Sequence, residues 1–301
     1  MTSILRYAEF AEYSRKASML KERRYGIRTN PCEMYSVDEF RMRFRFSKPA
    51  FEHILELVRD VLEHESKRNN AVSAELQLLI ALRFFATGSF QMTLADVFGI
   101  HQTTVSRIVY RVSRAIAALR RTYIKFPNQE ERAKQNNEYH KIAKFPGVIG
   151  CIDGTHIELL HQPSTQHSEL YRNRKDYFSL NVQVMFDAEY RIRDIVSRWY
   201  GSAHDSRIFH SSRLMDKLER LPRGSWILGD SGYACYPFLI TPFLNPANRA
   251  QRKFNRSQKV TRSTVERGIG CWKRRFPCVK NGLGINIKRL SQCHCCNSCV
   301  A

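Results

Sequence analysis

The stretch GVIGCIDGTHI, residues 147–157, holds a continuous apolar run from Val148 to Ile152 that stops at a carboxylate, Asp153. A short apolar run of this length, bounded by glycine, fits a buried strand. The same punctuation recurs downstream. Leu180–Phe186 and Ile192–Tyr200 are β-rich on either side of a turn at residues 187–190, and Ser206–Leu221 patterns as a helix. Trp226–Leu228 is another short buried strand, closing at Gly229 and Asp230 in ILGDSGY. Thr264–Phe276 is helical again and opens with Glu266 in STVERGIGCWKRRF. This succession predicts an α/β layer fold. Functional groups gather at strand ends in such sheets, so Asp153 and Asp230 are expected to meet.

The chain before the sheet is patterned differently. Residues 1–37 are a polar, charged lead-in, and residues 38–126 are helical. Phe51, Ile54, Leu55, Val58, Val61 and Leu62 recur at spacings of three and four, and Leu76–Ala86 is a more buried helix ended by Thr87 and Gly88. LADVFGIHQTTVSRIVYRVSRAI, residues 94–116, then gives a short helix, a glycine turn at Gly99 and a second helix capped by Thr103 or Thr104. That is the layout of a helix-turn-helix offering Gln102, Thr103, Thr104, Ser106 and Arg107 to DNA. An ordinary helical hairpin shares the pattern, but Arg107, Arg111, Arg114, Arg120 and Arg121 favour DNA contact. Residues 127–145 are polar and read as a linker, residues 146–280 as the sheet-bearing domain, and residues 281–301 as an atypical Cys-rich tail.

With 301 residues, 43% of them apolar, the chain has material for a substantial core. Its 49 Lys and Arg against 28 Asp and Glu give a net charge of +21. Such an excess calls for a polyanionic partner, most often nucleic acid; a ribosome-like assembly or an anionic membrane surface is the plainer alternative. Between Ala247 and Arg289 there are 13 basic residues, and Glu266 is the only acid. A solvated face normally mixes the two signs. No apolar segment of signal-peptide type follows Met1, and Leu76–Phe85, interrupted by Arg83, is too short to span a bilayer, so no membrane role is expected. Nine cysteines, four of them in the last nine residues, fit a reducing compartment better than a disulfide framework.

Carboxylates brought to one point repel each other unless a cation lies between them. Mg²⁺ suits that place, because it prefers hard oxygen ligands and keeps waters for a substrate. In a basic chain this is the equipment for phosphodiester chemistry. Each residue also has a plainer reading. Asp153 can simply end a strand, and Glu266 near a helix start can complement the helix dipole. Asp230 in GDSGY superficially matches a trypsin-like GDSGG, which would make Ser231 a nucleophile, but that chemistry belongs to an all-β chain with upstream His and Asp. His156 can touch substrate or pack in the core. Arg172, Arg174 and Lys175 read as phosphate contacts or as a solvated loop, and Lys273, Arg274 and Arg275 as a grip on the strand being cut.

Taken in order, GVIGCIDGTHI, YRNRKDYFSLNVQ, GSAHDSRIF, LGDSGY and VERGIGCWKRRF resemble the PIF/Harbinger transposase superfamily and its transposase-derived nucleases, over Asp38 to Phe276. The resemblance implies an RNase H-like catalytic domain, a mixed sheet flanked by helices, preceded by the helical region. It implies a DDE-type site with Asp153, Asp230 and Glu266 as catalytic acids binding Mg²⁺ or Mn²⁺. Asp205 in GSAHDS is implied as a further metal ligand, although an Asp before a helix is also an ordinary N-cap. It implies hydrolysis of DNA leaving a 3′-hydroxyl, a Myb-like or SANT-type partner protein and a place in the nucleus; a share in the cytoplasm and a homo-oligomer are compatible with the same reading, and the oligomeric state stays open. An active element-encoded transposase performing strand transfer, or a catalytically inactive DNA-binding scaffold, would carry the same motifs. The terminal INIKRLSQCHCCNSCVA departs from the family pattern. Cys293, His294, Cys295, Cys296 and Cys299 are spaced too tightly for a regular zinc site, so a truncated or alternatively read C-terminus is expected. Glu266's helix would then lack a packing partner.

Overall fold

The computed structural model describes residues 30–63 and 70–284, and among these, seven helices form the region that ends at Tyr123. They are α1 (Pro31–Met34), α2 (Val37–Phe44), α3 (Lys48–Leu62), α4 (Ala74–Thr87), α5 (Gln91–Phe98), α6 (Gln102–Ala118) and α7 (Arg120–Tyr123). Local chemistry sets their ends. Ser36 and Glu39 close a capping box on α2, and Ser47 and Ser73 accept backbone N–H bonds at the starts of α3 and α4. α4 is buried along nearly its whole length and stops at Gly88, whose φ is +63°. A Cβ at Gly88 would stand 3.1 Å from the backbone of Cys278, so the glycine also lets a later segment approach. α5 ends at Gly99 in the left-handed region, and α6 begins at Gln102, capped by His101 rather than by either threonine. The arginines of this region divide. Arg107, Arg114 and Arg121 are exposed, while Arg111 donates to Gln77 Oε1 and Arg120 to the carbonyl of Ile195.

The expected linker is a helix. α8 (Gln129–Ala143) starts in a capping box of Asn128 and Glu131, buries Gln135 and Tyr139, and ties to the sheet where Tyr139 Oη donates to the Phe186 carbonyl at 2.9 Å. It looks like a linker in sequence because so few of its side chains face inward.

β1 (Val148–Glu158), β2 (Ser179–Phe186), β3 (Ile192–Tyr200), β4 (Trp226–Leu228) and β5 (Leu239–Ile240) form one sheet in the order β3-β2-β1-β4-β5. β1, β2 and β3 pair antiparallel, and β4 and β5 continue parallel to β1. With helices on both faces this is the RNase H-like layer. β1 does not stop at Asp153 but runs on to Glu158, because β2 offers backbone partners as far as Ser179. Pairing, not hydrophobicity, sets its length. A register shift against β4 between Val148 and Gly150 sends Val148 and Cys151 to one face and Ile149 and Ile152 to the other.

The region expected as one helix at 206–221 is two, α9 (Asp205–His210) and α10 (Arg213–Glu219), broken at Ser211 and Ser212. They cover one face through Phe209, Leu214 and Leu218. The other face is crossed by α11 (Arg249–Arg275), capped by Asn248 and followed by α12 (Pro277–Lys280). α11 starts fifteen residues before the expected Thr264 (264 − 249), because its first half is Arg-, Lys- and Gln-rich, good helix-forming residues with little apolar signal. A single core joins Phe40, Phe51 and Leu79 of the helical region to Val184, Phe186 and Val265 of the sheet layer. The two regions are therefore packed as one body.

α11 lies close against the sheet at Gly268, where a Cβ would stand 2.9 Å from the Phe186 ring, whereas one at Gly270 would meet nothing within 4 Å. Gly268→Ala is expected to cost about 1–3 kcal/mol by overpacking. Gly270→Ala is expected to gain about 0.5–1 kcal/mol through helix propensity. Urea denaturation of the two variants beside wild type measures both, and equal effects at the two positions would contradict this account of how α11 is seated.

Candidate active site

Asp153 and Asp230 come together through strand register. Cys151 of β1 pairs with Leu228 of β4 in parallel, and each aspartate lies two residues beyond its member of that pair (153 − 151 and 230 − 228). Asp153 points to the α11 face, with its Oδ1 taking the N–H of Gly154 at 2.9 Å. Asp230 forms a local turn, its Oδ1 accepting from the N–H of Gly232 at 2.9 Å.

Asp205 reaches the site from α9. Its carboxylate lies against Gly154, where a Cβ would stand 2.3 Å from Asp205 Oδ1, so only glycine leaves room for it. Asn181 on β2 fixes the same oxygen, donating from Nδ2 at 2.8 Å and to the Ala203 carbonyl at 2.9 Å. The N-cap position of α9 falls to His204, which makes no side-chain cap bond, and Asp205 is the first residue of the helix. Tyr233 lies buried beside the group. Burial, then the charges of Asp205, Asp153 and Asp230, hold its hydroxyl well above the ordinary tyrosine value.

Glu266 is well inside α11, not at its start, and its side chain is 53% exposed. It joins the group through Arg262, one helical turn earlier. Arg262 Nη2 donates to Glu266 Oε1, and Arg262 Nη1 to Asp153 Oδ2 at 3.3 Å. Three further bonds place α11. Gln258 donates to the Gly229 carbonyl beside Asp230 at 2.7 Å, Lys273 to the His156 carbonyl at 2.9 Å, and Arg267 to the Tyr190 hydroxyl at 3.0 Å.

The site carries surplus negative charge. Burial pushes the Asp153 carboxyl from its ordinary 3.8 up to about 6; Arg262 and the Gly154 N–H oppose that shift, while Asp230 and Asp205 add to it. Burial also lowers the pKa of His156, whose Nδ1 is hydrogen-bonded to Ser179 Oγ at 3.0 Å, and favours its neutral form. The donor set is all carboxylate oxygen, which suits Mg²⁺ or Mn²⁺. Its spacing suits the guanidinium: among the described residues no three His, Cys, Asp or Glu side chains stand close enough to hold one ion as placed.

The expected nucleic-acid residues differ in how they are engaged. Arg174 and Lys175 are exposed, as is Arg274. Arg172 is committed to Glu169 and Asp176 and lies over the Phe178 ring. Lys273 is half-buried on the His156 carbonyl, and Arg275 donates to the Arg45 carbonyl and stacks near Phe46. Arg262, Asn181 and the first half of α11 were not singled out in the sequence. At about 100° per residue, Lys259, Arg252 and Arg256 lie within about 80° of Glu266 around the helix, forming an exposed basic strip about 21 Å long that ends at the acids. The spacing of four between Arg262 and Glu266 was a readable signal. The tail at 285–301, with its five Cys and His residues, lies outside the described residues.

Residues 152–300 match the family model described as "DDE superfamily endonuclease". A Rattus norvegicus protein named "Putative nuclease HARBI1" is 32% identical over 250 residues, covering 82% of this chain and 71% of that protein. The chain belongs to the Harbinger transposase-derived nuclease family. The Homo sapiens protein of the same name is 30% identical over the same shares, and "Protein ALP1-like" of Arabidopsis thaliana is 26% identical over 84% of this chain and 65% of its own length. No solved structure matches the chain.

The raised Asp153 pKa has a consequence for stability. The unfolded carboxyl ionises near 3.8 while the folded one keeps its proton to about 6, so between those values the native state binds more protons. Stability should therefore fall as pH rises through that window, by up to about 3 kcal/mol. Denaturation of wild type and Asp153→Asn at pH 4 and pH 7 in chelator tests it; the variant should lose most of the difference.

Proposed function

We propose that this family member is a divalent-metal-dependent nuclease that hydrolyses DNA. The supporting observation is the convergence of Asp153, Asp230 and Asp205 beside Tyr233, with Glu266 joined to them through Arg262. Asp153, Asp205, Asp230 and Glu266 would hold Mg²⁺ or Mn²⁺. Such an ion supplies Lewis acidity and an activated water at neutral pH. The chain's own groups do the rest. Asn181 and Gly154 hold Asp205 in place. Gln258 and Lys273 fix the helix that brings Glu266 to the strand ends. The strip of Arg252, Arg256 and Lys259 leads a phosphate backbone toward the acids, and exposed Arg174, Lys175 and Arg274 border the same region of chain. Hydrolysis there would leave a 3′-hydroxyl.

The helix-turn-helix-like α5–α6 pair, with Gln102, Thr103 and Arg107 exposed, supports a second DNA contact. By family resemblance the protein works in the nucleus with a Myb-like or SANT-type partner; a share in the cytoplasm and self-association are compatible with that reading. Strand transfer by an active transposase would use the same acids, and terminal inverted repeats flanking the gene would mark that case.

The purified chain should nick supercoiled DNA in Mg²⁺ or Mn²⁺. Asp230→Asn should reduce nicking by about 100-fold or more, the scale expected when a group essential to transition-state charge is removed. Cleavage that persists in chelator would exclude the metal reading, and binding without cleavage in any metal would favour a non-catalytic scaffold.

A further inference from the structure

Arg262 stands apart from the other cations of α11. Arg249, Arg252, Lys253, Arg256 and Lys259 are exposed, whereas the Arg262 side chain is 15% exposed and turned inward onto the carboxylates. Its two terminal nitrogens are split, Nη1 to Asp153 Oδ2 and Nη2 to Glu266 Oε1, so one guanidinium spans two acids that come from different elements. Asp153, Asp205, Asp230 and Glu266 carry a formal charge of −4, and Arg262 offsets one unit of it. Two divalent ions would neutralise the set completely (−4 + 2 × 2 = 0), leaving no electrostatic reason for the guanidinium to remain between them. The carboxylate oxygens it occupies are ones an ion would need.

We propose that Arg262 is the built-in counter-ion of the carboxylate site, exchanging its Asp153–Glu266 bridge for a divalent ion and thereby setting the site's metal affinity. This rests on the metal-dependent reading above. Metal binding then requires the side chain to leave both acids, and the helix spacing makes that feasible. Arg262 is one turn from Glu266 on a helix held independently by Gln258 and Lys273, so rotation of its long side chain does not unseat α11. A purely structural Arg262, tying α11 to β1, would predict the opposite: removing it would loosen the acids and weaken the ion.

The test measures Mn²⁺ binding to the full chain by electron paramagnetic resonance and titration calorimetry, without DNA and without reference to turnover. Arg262→Gln, which stays polar but is shorter and carries no charge, should bind Mn²⁺ about tenfold more tightly than wild type, the scale of one charge-assisted contact no longer displaced. Arg262→Lys, whose single ammonium cannot reach both acids in the same way, should fall between the two. Circular dichroism in chelator checks that each variant is folded. If Arg262→Gln does not fold, the Lys variant carries the comparison, and an affinity equal to or weaker than wild type overturns the proposal. Equal Mn²⁺ affinity in wild type and both variants would remove the counter-ion role but leave the metal reading standing. Absence of Mn²⁺ binding in all three would remove both. Binding by the Gln variant alone would support the exchange in its strongest form.

Discussion

Like charge crowded at one edge of a sheet is the constraint around which the rest of this structure is arranged. Strand register places Asp153 beside Asp230, and the missing side chain of Gly154 lets Asp205 press in from the other face. Such a group is costly unless positive charge answers it. Arg262 supplies that charge from within the chain, and the same guanidinium brings Glu266 into the group. The bond to Asp153 is thus both electrostatic relief and the link between α11 and the acids.

That link works only because α11 is positioned by other contacts. Gln258 holds it at the end of β4, Gly268 lets it lie against Phe186, and Lys273 fixes its far end on β1. The helical region bears on the same helix indirectly. α12 follows α11 and packs where Gly88 ends α4, and Arg275 reaches the carbonyl of Arg45. With one core running through both regions, the site depends on the packing of helices that contribute none of its acids. Their role at the site is mechanical, through the position of α11.

The abundant positive charge does several different jobs. Arg193, mostly buried, joins the fully buried Asp187 and also Glu131 of α8, which holds the β2–β3 turn to a helix. Arg111 and Arg120 are engaged in half-buried contacts within the protein, and Arg172 is tied up in surface ion pairs with Glu169 and Asp176. Of the cations exposed along α11, Arg252, Arg256 and Lys259 form a strip that leads to Glu266. A net charge therefore overstates the cations available to a polyanion, and their arrangement on one helix says more about approach than their number.

The alternation of apolar runs with turns was enough to read an α/β layer, and the order of five motifs identified the family and the candidate acids. Strands at Leu180–Phe186, Ile192–Tyr200 and Trp226–Leu228 were legible because buried strands write hydrophobicity directly into the chain. The helix at 129–143 and the continuation of β1 past Asp153 were not legible because each depends on partners distant in sequence, and the early start of α11 was not because its polar first half carries little apolar signal. Tyr139 has meaning only against Phe186, and the polar end of β1 only against β2. The sequence determined which carboxylates the chain carries and the local elements around them. Only the tertiary structure decided that Asp205 lies over Gly154 and that Arg262 stands between Asp153 and Glu266, since contacts between residues 51 (205 − 154) and 109 (262 − 153) apart are fixed by packing and register rather than by local propensity.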